Sequence, residues 1–473
     1  MDAIFKTVSW QVSQLLDDIH SGKIQLPDLQ RPFVWPSSKV RDLFDSMYRG
    51  YPVGELMFWD VSAEGESRSI SKDSSFTGQH QIVDGQQRLT SLYAAMKGVP
   101  VRDNDYKARH IRIAFNPFNE KFEVRTPVIA RSPEWVEDIS TVFDSPYKAS
   151  KAFIRRFEEA GGELTDEKEE LIIEKFNDLA NISKYAFDVV HLQSSADKRL
   201  VADVFVRINS EGVRLKAYDY ILTWLSVFWP DGRESIEEFS RNGRMSPEHA
   251  SEVLGKRITW TSHNPYIPVD NGHIIRAIVA LGQRRGRLQD AYAALQAIDR
   301  STGTANSDKQ EAELQLLKDA LAIVINPVNW TEFIHSIHAA GFQSGSNVTS
   351  HMNIIYSYVI FLLGRNDYGV ELSTLRKIVA KWLFMSQLTA RYTGSSESQI
   401  QKDLDRISAL QPGDAQGFED LLNTIINTQL TDDFWRYNLP QNLVTSGPSL
   451  SPHYQCYLAA LNILDARMFM LDE

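Results

Sequence analysis

The sequence predicts an α+β protein, with a small mixed α/β domain at the N-terminus followed by a large all-helical region. Three observations predict it. Over roughly the first 130 residues, short apolar runs suited to strands alternate with segments whose apolar residues recur at helical spacing. From Ser246 onward the helical period repeats in segment after segment, and no strand pattern interrupts it. At 473 residues, the chain exceeds what one ordinary core supports. The organisation read from this is residues 1–230 as an α/β domain carrying a helical insertion over about 132–182, then residues 231–473 as a helical region. Pro230-Asp231-Gly232 marks the boundary.

The elements follow in order. Ser9 is placed to cap a helix reaching about Ser21, with Val12, Leu15, Leu16 and Ile19 on one face. Pro36 with Ser37 and Ser38 opens a second helix, with Val40, Leu43, Phe44 and Met47 inward, ending at Gly50. Residues 55–60 and 79–84 read as strands, and a helix over 86–97 stops at Gly98. Residues 109–115 and 121–125 read as a hairpin about 116–119. The charged stretch 158–175 reads as an exposed helix or lid, and 185–191 as a strand returning to the first domain. Helices are expected over 196–208 and 216–228, then at 274–281, 311–325, 353–363, 374–388 and 456–470.

Composition narrows the functional classes. Hydrophobic residues at 43% and charged residues at 23% fit a folded, water-facing protein. The longest apolar runs, such as 359–363, are too short to span a bilayer, and the N-terminus carries no secretory pattern. The single cysteine, Cys456, permits no internal disulfide and reads as a buried thiol. A cytoplasmic protein with no membrane partner is expected. A net charge of −11 argues against constitutive, sequence-independent DNA binding, which rests on neutralised phosphates. Local basic surfaces remain, foremost Arg284, Arg285 and Arg287 as DNA-contact candidates.

The segment richest in chemistry is His80-Gln81-Ile82-Val83-Asp84-Gly85-Gln86-Gln87-Arg88. A strand ends at an acid, a glycine makes the turn, and a helix begins at once. Amides at a helix start are unpaired donors that attract anions, and Gly85 lets the backbone approach a phosphate. Arg88 can clamp phosphate oxygens with its fork. Asp84 can hold Mg²⁺ or a ribose hydroxyl, while Gln86 and Gln87 add donors and acceptors without charge. A structural alternative has Asp84 capping the helix and Arg88 pairing with a neighbour. Two further segments stand out. Residues 25–36 carry prolines at 27, 32 and 36 that hold Gln30 and Arg31 extended. Residues 205–212, Phe-Val-Arg-Ile-Asn-Ser-Glu-Gly, end a helix with Arg207 and turn at Asn209.

Together these segments resemble the N-terminal, ParB/sulfiredoxin-like domain of GmrSD-type type IV restriction systems. The resemblance rests on Q-R-P-F-V-W at 30–35, I-V-D-G-Q-Q-R at 82–88 and F-V-R-I-N-S-E-G at 205–212. The stretch Arg391-Tyr392-Thr393-Gly394-Ser395-Ser396-Glu397, followed by a helix to about Leu410, resembles the family's helical region. The resemblance implies binding and hydrolysis of an NTP with Mg²⁺ or another divalent cation. Asp84, Gln86, Gln87 and Arg88 would be the catalytic group, with Asp84 on the metal. Gln30, Arg31, Gly85, Arg207 and Asn209 would contact nucleotide. It further implies an anti-phage role on modified phage DNA, with cutting done by an HNH nuclease domain or subunit.

The eleven histidines show no compact arrangement of the HNH kind. His335 and His338 share a helix face with Phe333 and read as structural. No P-loop, G-x-S-x-G, H-E-x-x-H or paired C-x-x-C pattern occurs. The function expected is therefore an NTP-hydrolysing sensor coupled to an HNH nuclease. Two other readings stand beside it: a non-catalytic, nucleotide-gated DNA clamp, and a metal-dependent DNA nickase built on the ParB-like site itself. Self-association and the preferred NTP are left open.

Overall fold

The computed structural model describes residues 5–25, 33, 35–60, 80–103, 107–192, 204, 216–299, 304–445 and 451–466. By internal contacts the chain forms two compact units, Met1–Arg214 and Leu215–Glu473. The division thus falls ahead of Pro230. The helix Ala217–Phe228 carries Ile221, Leu222, Trp224 and Leu225, and these pack into the core of the second unit.

The first unit is built on a five-stranded mixed sheet. Its strands are β1 (Phe5–Gln11), β2 (Ile24–Gln25), β3 (Leu56–Asp60), β4 (His80–Asp84) and the late-arriving strand Ala186–Leu192. That last strand lies between β1 and β3, antiparallel to the former and parallel to the latter, while β4 runs antiparallel to β3 and parallel to β2. Ser9 does not cap a helix. It pairs with Asp188 inside β1, and α1 (Val12–His20) begins directly after the strand with no side-chain cap. Ladder pairing along seven residues outweighs one capping bond. The inward face of α1 is as expected: Val12, Leu15, Leu16 and Ile19 are buried. In α2 (Ser37–Tyr48), Val40, Leu43, Phe44 and Met47 are likewise buried, each worth about 1.5–3 kcal/mol in apolar transfer.

α3 (Gln86–Lys97) ends at Gly98, as the sequence predicts. Two small pairings follow: β5 (Val101–Arg102) with β6 (Ala108–Arg109), and β7 (Ile113–Asn116) with β8 (Lys121–Val124). The second is the expected hairpin, turning at 117–120, while the first was not anticipated and takes only Arg109 from the stretch read as a hairpin arm.

The insertion consists of short helices α4 (Pro127–Arg131) and α5 (Ser140–Asp144), then α6 (Pro146–Glu159) and α7 (Asp166–Ala180). Residues 158–175 are largely exposed and helical from Asp166, as the helix reading has it, with Ile172 turned inward. Ile172, Phe176 and Leu179 of α7 are buried, and Phe153 of α6 packs against Phe176 with ring centroids 5.5 Å apart. From α7, Lys175 reaches Glu120 at 3.5 Å, Glu174 at 3.3 Å and Asp178 at 3.2 Å. The number of charged residues masked an apolar face at helical spacing. The strand Ala186–Leu192, numbered β9, returns the chain to the sheet as expected.

The second unit is mainly helical in its described residues, with an isolated bridge between Ile298 and Ala305; its helices include Asn271–Ile278, Ser307–Val324, His351–Asn366, Leu372–Leu388, Ser396–Ser408 and Pro452–Ile463. His351–Asn366 is buried along nearly its whole circumference and forms the centre of the unit's core. Cys456 is a free buried thiol, and burial pushes its pKa up. His335 and His338 are exposed on a helix whose Phe333 and Ile337 point inward, so they do not share that apolar face. The expected helix over 196–208 lies outside the described residues except for Val204, which is helical. Among those described, no helix is long and apolar enough to cross a membrane.

His273 gives the second unit a measurable pH response. Asp270 and His273 cap the helix Asn271–Ile278 reciprocally: the Asp270 carboxylate accepts the His273 amide at 2.9 Å, and His273 Nδ1 accepts the Asp270 amide at 3.1 Å. Burial lowers the imidazole pKa to about 4; His351, Arg276 and Arg244 add to the lowering, and Asp270 opposes it. A folded-state pKa below the ordinary 6.5 means that the unfolded chain takes up a proton the native ring refuses. That stability is fully present above pH 6.5 and is lost as pH falls toward 4, by up to about 1.4 kcal/mol per pH unit. Denaturant midpoints followed across that window should fall more steeply in the wild type than in His273→Asn. Identical slopes would remove His273 as the titrating group.

Candidate functional site

The D-G-Q-Q-R motif sits where β4 hands the chain to α3. Asp84 is the last residue of the strand, and it pairs with Met57 at an irregularity in β3. Gly85 adopts φ 96° and ψ 6°, the left-handed region that favours glycine. A Cβ there would come 2.2 Å from Leu56 Cδ2, so space as well as conformation demands glycine. The turn aims the start of α3 outward, and no side chain caps it. Gly85 occupies the cap position, so Asp84 is not the helix cap.

Arg88 does something the sequence reading gave only as an alternative. Its Nη2 donates to Asp84 Oδ2 at 2.7 Å and its Nη1 to the Val53 carbonyl at 3.0 Å. The side chain is only 15% exposed, against 35% for Asp84. Gly54, at φ 90°, makes room for it, since a Cβ there would lie 2.4 Å from Arg88 Nη1. The guanidinium thus fixes the carboxylate and ties the segment ahead of β3 to α3. Gln86 and Gln87 are half-buried in the same first turn, and Ser91 Oγ donates to the Gln87 carbonyl at 2.6 Å. Gln30, Arg31, Arg207 and Asn209 lie outside the described residues. The structure therefore brings together Asp84, Gly85, Gln86, Gln87 and Arg88. A cleft of about 950 Å³ lined by Ser13, Asp17, Lys97, Ser140 and Lys148 lies at the other end of α3, away from the motif.

The arginines expected to contact DNA have internal employment. Arg284 pairs with Asp367 and donates to the Leu281 carbonyl. Arg285 holds Glu313 through both terminal nitrogens, at 2.8 and 3.1 Å. Arg287 is exposed, and its Nη2 lies 3.5 Å from Ser398 Oγ. The intervening Gly286 donates its amide to Gln401 at 2.7 Å, so the turn is pinned to the helix Ser396–Ser408. Clustered arginines and distant acids, invisible to one another in a linear reading, explain why this stretch looked like a free basic surface. Likewise, Arg391 of the R-Y-T-G-S-S-E stretch is buried against Asp403, and the Tyr392 hydroxyl donates to the same carboxylate at 2.8 Å.

One cluster escaped the sequence reading. Asp60, His80 and His191 converge in the first unit, with both histidine Nδ1 atoms 2.8 Å from Asp60 Oδ1. They come from three strands, and the only linear hint was a histidine at the start of the strand that ends in Asp84.

Residues 12–226 match the family described as the GmrSD restriction endonuclease, N-terminal domain. This part of the chain is similar to the N-terminal region of GmrSD-type restriction proteins. The GmrSD match contains the whole D-G-Q-Q-R turn and four of the five strands of the sheet that carries it, with β1 lying just ahead of it. The chain is also similar to an uncharacterized protein of Methanocaldococcus jannaschii, at 22% identity over 444 residues, covering 85% of this chain and 68% of that one. That span is too long to be confined to the GmrSD match, so the likeness includes helical-region residues.

Proposed function

We propose that the chain is the nucleotide-binding and nucleotide-hydrolysing component of an anti-phage, modification-dependent restriction system, coupling nucleotide state and DNA recognition to an HNH nuclease. The observation that carries this reading is the uncapped start of α3, delivered by Gly85 directly beside the half-exposed Asp84 carboxylate. A positive helix end next to a hard oxygen donor suits a polyphosphate and its cation. In this reading the first-turn amides hold phosphate oxygens, Arg88 keeps Asp84 oriented, and Gln86 or Gln87 orients the attacking water. Asp84 would hold Mg²⁺ through the oxygen that Arg88 does not engage, and the bound ion supplies charge neutralisation for phosphoryl transfer. DNA engagement in this reading uses the basic turn of Arg284, Arg285 and Arg287, of which Arg287 is exposed while Arg284 and Arg285 also pair with Asp367 and Glu313.

A second reading is supported by the same geometry. Because Arg88 is committed to Asp84 and Val53, nucleotide binding without turnover would suffice for a nucleotide-gated clamp. Asp84→Asn separates the two. The amide still accepts from Arg88, so the turn survives, but the charge that holds a cation is gone. Phosphate release should fall by about 10²-fold, while nucleotide affinity, measured by calorimetry, changes far less. Unchanged turnover at saturating Mg²⁺ would take Asp84 out of catalysis. No turnover in the wild type, with or without modified phage DNA, would favour the clamp.

A further inference from the structure

We propose that Asp60, His80 and His191 form a binding site for a first-row divalent transition metal, with Zn²⁺ the best match. Asp60 ends β3 and His80 opens β4, directly opposite it in the antiparallel ladder. His191 lies on β9, the neighbour of β3 on its other side, paired with Phe58. Strand alternation puts Phe58 and Asp60 on one face, so the three side chains project from adjacent strands toward a single point.

The geometry is close to that of a coordination sphere. One ligand atom from each residue lies within 4.8 Å of the other two. Both Nδ1 atoms face the same carboxylate oxygen at 2.8 Å. Zinc bonds to imidazole and carboxylate of about 2.0–2.2 Å place tetrahedral neighbours about 3.3 Å apart. The two imidazole–carboxylate distances need to open by only about half an ångström to admit the ion. Two imidazoles and one carboxylate suit a borderline cation and are a poor set for Mg²⁺ or Ca²⁺, which demand oxygen. Three protein ligands leave the fourth position to water.

The surroundings are those of a held site. The edge of Trp10 packs against both rings, with centroids at 5.4 Å from His80 and 4.8 Å from His191, and Phe58 packs at 6.1 and 5.8 Å. An aromatic wall fixes ring orientation and lowers the local dielectric, which strengthens a metal–carboxylate contact. Access is from one side: the His191 side chain is 3% exposed, but those of His80 and Asp60 are 20% and 28% exposed. His191 Nε2 is buried with no hydrogen-bond partner among the described residues, so Nδ1, directed into the cluster, is the nitrogen this ring uses. A histidine kept only for hydrogen bonding would ordinarily satisfy both nitrogens.

The site is separate from the proposed nucleotide cation. His80 and Asp84 stand at opposite ends of β4, about 13 Å apart at 3.3 Å per residue. Metal here would staple β9, β3 and β4 at the end remote from the motif.

The test uses the full chain, stripped with chelator and titrated with Zn²⁺ against a chromophoric competitor, then with Co²⁺ for its visible absorption. One tight equivalent and an intense tetrahedral Co²⁺ spectrum are expected. His80→Ala and Asp60→Asn should each weaken binding by at least about 10²-fold. Both positions are partly exposed, so these variants fold and decide the matter even if His191→Ala does not. Asp84→Asn should retain the full equivalent, so failure of the nucleotide reading leaves this result intact. No stoichiometric binding by the wild type, or binding that persists in His80→Ala and Asp60→Asn, overturns the proposal.

Discussion

Arg391→Ala will lower the stability of the helical unit by about 3–5 kcal/mol, the range for removing one partner of a buried ion pair. The Arg391 side chain is 6% exposed and that of Asp403 is fully buried. Arg391 donates to both Asp403 oxygens, and its guanidinium lies 5.2 Å from the centroid of the Trp382 ring. Without it, Asp403 keeps the Tyr392 hydroxyl and a long contact from Gln399, at 2.8 and 3.4 Å, but no compensating charge. Urea unfolding followed by far-ultraviolet dichroism should show the transition of this unit displaced to much lower denaturant. The paired change Arg391→Met with Asp403→Leu should recover most of the loss, because the cost lies in the stranded charge. A single-variant loss below about 1 kcal/mol, within the range of a screened surface pair, would show that the pair is not desolvated as the structure has it.

Arg88→Ala is expected to abolish measurable nucleotide binding. Two losses combine. The proposed phosphate site loses the guanidinium in the first turn of α3, and truncating a desolvated charge contact typically costs about 2–5 kcal/mol of binding. The fold also loses a donor to the Val53 carbonyl, worth about 1–3 kcal/mol if that acceptor is left unsatisfied. Arg88→Lys should not rescue either, since a single ammonium cannot span Asp84 and Val53 as a planar fork does. Calorimetry with each NTP, on protein whose dichroism spectrum is native, reads the first loss, and denaturant unfolding reads the second. Wild-type affinity alongside reduced stability would leave Arg88 a purely structural residue and move the phosphate contacts elsewhere.

What could be read in the sequence was whatever depends on local periodicity. The inward faces of α1 and α2, the span of α3 between Gly85 and Gly98, and the returning strand near residue 186 all follow from spacing and from glycine at helix ends. Errors arose where a local signal was outweighed by a distant partner. Ser9 looked like a cap until Asp188 paired with it. The acids that pair with Arg284 and Arg285, Asp367 and Glu313, lie 83 and 28 residues away and were likewise out of view. Of the candidate site, the turn and its residue types were legible, but Arg88's attachment to Val53 depends on a residue 35 positions away. The convergence of Asp60, His80 and His191 was beyond reach for the same reason, since it exists only once three strands have assembled.

The strand order carries a consequence for biogenesis. β9 lies inside the sheet, flanked by β1 and β3, yet it is the last of the five strands to leave the ribosome. Until residue 192 emerges, Phe5–Gln11 and Leu56–Asp60 have no neighbour across the gap between them, and both offer open backbone edges. Closing the sheet requires contacts spanning some 180 residues of chain, which makes it a slow, late event. The helices of 127–180 are synthesised in that interval and can form from local contacts while the gap waits. A nascent chain stalled or cleaved before β9 would hold a split sheet, and that is the stage at which this protein is most exposed to chaperone capture or to pairing with the wrong strand.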